Sequence, residues 1–198
     1  TVQEVIHLGT LDMATGTITS SVESIEAAGD VIWDNTAPTG SFRSTPQPQE
    51  ILDTGDLPAG TNVGAIQIGF ATDASGSITL QYGFYENDNF EPRGAAMQTL
   101  GGTDAIFPIT ISGLPGGGII GFTLDVALSS DQQFVIDGPD LDMDGDTDWG
   151  WGFSVVDPGN ATALGPLIAG EGPFLAPGRQ DNFDRFDAGV YSGTFFFG

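Results

Sequence analysis

The sequence contains no cysteine, no lysine and a single histidine, His7. Without cysteine there is no disulfide framework, no thiol nucleophile and no thiolate metal site. Without lysine there is no Schiff-base chemistry. One imidazole is too few for a histidine-built zinc centre. A serine triad would have to use His7, and no Gly-x-Ser-x-Gly elbow accompanies it. Basic residues are scarce as well: Arg43, Arg93, Arg179 and Arg185 stand against 27 acidic residues, for a net charge of −23. A field of that sign repels phosphate, which excludes nucleic acid and anionic membrane surfaces as partners. No apolar run approaches the roughly 20 residues of a membrane-spanning helix, so no membrane insertion is expected. Capped helical periodicity is nearly absent, with only Ser21–Ala28 offering a turn or two.

What is present points to an all-β protein. Apolar residues make up 39% of 198, enough for one domain over residues 1–198 with a real core. The 30 glycines and 12 prolines are spread along the whole chain, as punctuation between short strands is. Period-two alternation marks Ala65–Thr72 and Gly76–Glu86, then Phe122 with Leu124, Val126 and Leu128, and Trp149 with Trp151, Phe153 and Val155. Shorter candidates are Val5–Leu8, pairing with Thr15–Ser24 across a turn near Gly16, and Asp30–Asn35, Ile106–Ile111 and Val190–Phe197. Turns are marked at Asp73–Gly76, Leu114–Gly118 and Asp157–Asn160. About ten strands with short turns imply an antiparallel two-sheet β-sandwich, jelly-roll-like. Thr36–Pro48 and Ala161–Asp184 read as irregular.

One segment carries chemistry. Asp140, Asp142, Asp144, Asp146 and Asp148 alternate, with Gly145 after the third. Calcium takes six to eight oxygen ligands, and this spacing lets one tight loop wrap the ion. Glycine permits the sharp turn, and carboxylates so close repel one another unless a cation lies between them. The competing reading is a solvated acidic turn. The segment resembles the first half of an EF-hand or dockerin-type calcium loop, with the aspartates at positions one, three, five, seven and nine and Gly145 as the turn glycine. The twelfth position, a bidentate Glu in that family, is Trp151 here, and a strand follows where the family has a helix. The resemblance implies Ca2+ in a structural role, with a further ligand from Asp137, Asp157 or a distant loop. Glu86, Asp88 and Glu91 form a second acidic cluster, weighed evenly between a polar loop and a second cation site. Asn160-Ala161-Thr162 fits the N-glycosylation sequon.

The run Val31–Thr36, then Glu50–Leu57, Ile66–Thr72 and Ile78–Asn89, is similar to secreted bacterial β-sandwich proteins of the planctomycete, sorting-tail type, over roughly residues 30–156. That resemblance implies an extracellular or cell-surface location and no known reaction. The start at Thr1 reads as a mature chain after signal-peptide removal. The expected function is a secreted calcium-binding structural protein: a subunit of an extracellular matrix, surface layer or filament, and not an enzyme. Residues 1–8 and 190–197 are expected as edge strands, available for self-association with a neighbouring copy. The alternative is a carbohydrate-binding module, in which Trp33, Trp149, Trp151 and the tyrosines stack on a glycan. A hydrolase using paired acids is the third reading, although no pair stands out.

Overall fold

A computed structural model of the chain describes residues 2–13, 15–20, 38–86, 98–99, 106–138, 140, 143, 145–169, 182–187 and 190–196. It is an all-β, two-sheet fold with no helix among the described residues. One sheet has six strands, in the order β2 (Thr17–Thr19), β1 (Val5–Asp12), β10 (Ile120–Ala127), β6 (Ala65–Thr72), β13 (Leu164–Ala169), β3 (Pro38–Phe42). The other has seven: β15 (Val190–Phe196), β14 (Asn182–Asp187), β4 (Gln49–Leu57), β12 (Thr147–Asp157) and β7 (Ser75–Glu86), with β8 (Gln98–Thr99) and β9 (Ile106–Pro115) both pairing β7. A small ladder joins β5 (Thr61–Val63) to β11 (Phe134–Ile136).

The alternating runs become strands because a period of two gathers their apolar residues on one face, where burial rewards them. Ile78, Leu80, Tyr82 and Phe84 of β7 are buried, as are Phe107, Ile109 and Ile111 of β9 and Trp149, Phe153 and Val155 of β12. From the six-stranded sheet come Ile68 and Phe70 of β6, with Phe122, Leu124 and Val126 of β10. All of these belong to one hydrophobic core shared by both sheets. Phe70 stacks on Phe122 at 5.3 Å and Tyr82 meets Phe153 edge-on at 5.3 Å. The Tyr82 hydroxyl reaches from its own sheet to the Gly69 carbonyl of the other at 3.4 Å.

Among the described residues, four connections run directly from one sheet to the other: residues 43–48 from β3 to β4, Asp73–Ala74 from β6 to β7, residues 116–119 from β9 to β10, and residues 158–163 from β12 to β13. All three turn signals read from the sequence fall at the last three of these. The corners are tied together. The Asp73 carboxylate accepts the Thr162 and Ala163 amides at 2.8 and 3.0 Å, and the Thr162 hydroxyl as well. Asn160 accepts the Ser75 amide at 2.9 Å and donates to the Ser75 hydroxyl at 2.8 Å.

Several expectations need correction. The fold is not antiparallel throughout: β1 runs parallel to β10. Parallel partners need no shared turn, so local sequence carries no mark of such a pair. Fifteen strands are found among the described residues, against about ten expected. Those missed include β3 and β13, inside stretches read as irregular. Pro and Gly break their alternation, and tertiary pairing supplies what pattern does not: Leu167 lies opposite Phe42, and the Pro166 carbonyl accepts the Arg43 amide at 3.1 Å. The hairpin expected between Val5–Leu8 and Thr15–Ser24 is made instead by Thr10–Asp12 with Thr17–Thr19, while Val5–His7 pair with β10. Both terminal strands pair within the chain, β1 with β10 and β15 with β14. The readings of Asp30–Asn35 as a strand and Ser21–Ala28 as a helical turn lie outside the described residues.

Candidate functional site

The aspartate loop joins β11 to β12, and both of its anchors are buried: Ile136 is fully enclosed and Thr147 is 1% exposed. Fixed ends and a short span force the chain between them to turn sharply. The Gly145 amide donates to Asp140 Oδ2 at 2.9 Å, folding the loop back on its first carboxylate. Gly145 has φ of +107° and Met143 has φ of +67°, the one positive φ at a non-glycine residue among the described residues. Left-handed backbone at both positions gives the loop its curl. Met143 forms the tip, 87% exposed.

Asp146 is half-buried and directly precedes β12. Asp148 lies on β12 itself, and the register sets it opposite Asp56 of β4. The Gly60 amide donates to the Ile136 carbonyl at 2.8 Å, bringing the β4–β5 turn beside the loop's start. Asp142 and Asp144 lie outside the described residues, and among the described residues no three acidic or imidazole groups converge on one point.

The suggested supplementary ligands separate. Asp137 follows β11 directly and belongs to the loop. Asp157 does not: it closes the far end of β12, nine residues from Asp148 and so about 30 Å away along the strand. Its Oδ1 accepts the Gly159 amide at 2.9 Å, in a turn of its own. Trp151, at the place of the missing Glu, stacks on Tyr82 at 6.2 Å and packs against the core. In the second acidic cluster, Asp88 and Glu91 lie outside the described residues.

Two polar groupings carried no sequence signal. His7 Nδ1 lies 3.1 Å from the Thr123 hydroxyl, and its Nε2 lies 3.6 Å from Asp125 Oδ2. Asp125 is fully buried and accepts Gln67 Nε2 at 2.6 Å. His7 is thus a cross-strand polar contact on the face away from the core. On the outer face of the other sheet, the Tyr85 hydroxyl donates to Glu50 at 2.7 Å. Burial pushes the Glu50 carboxyl above its ordinary range, and the bond from Tyr85 offsets only part of that. Alternation reveals which face a residue takes, but not that an outward-facing acid is buried.

No protein-family model, curated protein or solved structure matches the chain.

Proposed function

We propose that the chain is a secreted, calcium-binding structural protein, a subunit of an extracellular matrix, surface layer or filament, built as a jelly-roll-like β-sandwich. The observation that carries this reading is the loop closed by Gly145 on Asp140, with aspartates at alternate positions through Asp148. Asp140, Asp142, Asp144, Asp146 and Asp148 would hold the ion, with Asp137 nearby in the same loop. Bound calcium supplies positive charge at the point where the chain concentrates its negative charge. The role is structural because the loop leads into a core strand and not into a movable helix. Extracellular placement follows the resemblance of roughly residues 30–156 to secreted bacterial β-sandwich proteins.

Self-association is the second half of the proposal. Its support, among the described residues, is the edge position of β15 in the seven-stranded sheet and the one-sided pairing of the first residues of β1. The carbohydrate-binding alternative is weakened, because Trp149 and Tyr82 lie in the core and Trp151 packs on Tyr82. Thermal melting tests the calcium half. A ligand that binds only the native state raises the midpoint by mass action. Calcium is expected to raise it relative to chelator, and Asp144→Ala to reduce that response. Equal midpoints with calcium and with chelator would remove the proposal.

A further inference from the structure

We infer that residues 2–8 form an exchangeable strand, seated on β10 of its own chain in the isolated molecule and on β10 of a second copy in the assembly. This rests on the self-association proposed above and names the contact that makes it. β1 consists of two pieces. Thr10, Leu11 and Asp12 pair with β10 on one side and β2 on the other. Val5, Ile6 and His7 pair, among the described residues, with β10 alone. The Gln3 amide donates to Ile119 at 2.9 Å, and the Gly121 amide to Glu4 at 2.8 Å. The register breaks between His7 and Thr10, and Gly9 stands in that break at φ +110°. A Cβ on Gly9 would collide with the backbone of Thr19, so the position belongs to glycine. Hinges are a few such residues that absorb a change of backbone direction. Residues 10–12 stay anchored in the hairpin while the preceding piece redirects.

The slot on β10 reads the sequence of the strand it receives. His7 bridges the Thr123 hydroxyl and the buried Asp125. Val5 lies over Gly121, its Cγ2 3.0 Å from where a Cβ would stand. Ile6 and Leu8 pack against the core. The partner that presents these same residues is a second copy of this chain. The bonds made in either arrangement are the same, so exchange is opposed mainly by association entropy and by repulsion between two acidic molecules. Screening cations lower the second term. A strand passed forward by each copy to the next makes a head-to-tail contact, which propagates as a filament unless its rotation closes a ring.

The chain has no cysteine, so cross-linking is free of background. His7 and Thr123 are registered partners. Full-length His7→Cys and Thr123→Cys variants are mixed, brought to assembling concentration with calcium, and treated with a mild thiol oxidant. The expected product is a disulfide-linked pair of one copy of each. In the unassembled double variant, an intrachain disulfide should form, report a folded chain in the described register, and abolish assembly by locking the strand. Assembly without an interchain disulfide overturns the exchange and leaves self-association standing. Assembly of the locked double variant at the wild-type level does the same. A wild-type chain that stays monomeric under all these conditions overturns both.

Discussion

At the scale of single residues, the outer face of the seven-stranded sheet depends on two glycines. Gly83 and Gly152 sit in register on β7 and β12, and Tyr85 lies across them to reach Glu50. A Cβ on Gly83 would collide with the Tyr85 hydroxyl. One on Gly152 would collide with Glu50 and stand 3.1 Å from the Tyr85 ring. Gly152→Ala is therefore expected to destabilise by about 1–3 kcal/mol, the usual range for overpacking, as chemical denaturation would measure. Glu50 gives a second prediction. Its folded-state ionisation lies above the ordinary carboxylate range because burial disfavours the charge. The unfavourable contribution is absent in acid and complete once pH exceeds the raised value. Glu50→Gln keeps an acceptor for Tyr85 without the charge, so it should raise the melting midpoint near neutral pH. That gain should fade as the solution is acidified. An unchanged or lowered midpoint at neutral pH would contradict this account.

At the scale of elements, the corner network decides how two sheets stay in one relative position. Sheet packing is non-directional, whereas the bonds of Asp73 and Asn160 are directional and join the β6–β7 crossing to the β12–β13 crossing. Gly159, at φ +57°, lies so close to the Ser77 carbonyl that a Cβ has no room. The sequon triplet therefore serves a corner: Asn160 is engaged with Ser75, and Thr162 with Asp73. Partial desolvation pushes the Asp73 carboxyl up, but the bonds from Thr162 and Ala163 together outweigh it and hold the group below its ordinary 3.8. The resulting stabilisation is fully present above that value and is lost as pH falls through the lowered one. Asp73→Asn should therefore melt lower than wild type near neutral pH, with the gap closing in strong acid. Because Asp73 is near the surface, solvent screening keeps the effect modest. A gap that does not change with pH would assign the loss to geometry and not to charge.

At the scale of the whole molecule, the −23 net charge is the dominant long-range term. It opposes compaction and association alike. Screening shortens its reach from about 10 Å at 0.1 M salt to about 3 Å at 1 M. Sodium chloride should therefore raise the melting midpoint gradually across that range. Calcium bound at the aspartate loop should act at far lower concentration, and its effect should saturate. Titrating each salt while recording melting and light scattering separates general screening from a specific site. Identical dependence on ionic strength for the two salts would leave no role for the loop.

The sequence by itself determined the all-β class, the strands β6, β7, β10 and β12, three of the sheet-crossing corners, and the place of the aspartate loop. Each is local: alternation, turn residues and donor spacing act over a few residues and leave their mark there. Tertiary structure alone decided the parallel seat of β1 on β10, the pairing of β3 with β13, the separation of Asp157 from the loop, the burial of Asp125 and the half-burial of Glu50. Parallel pairing needs no linking turn, strands broken by Pro and Gly show no alternation, and a carboxylate records neither what lies opposite it nor what covers it. Those properties arise only when distant segments meet, because burial and register belong to pairs of strands and not to either strand alone.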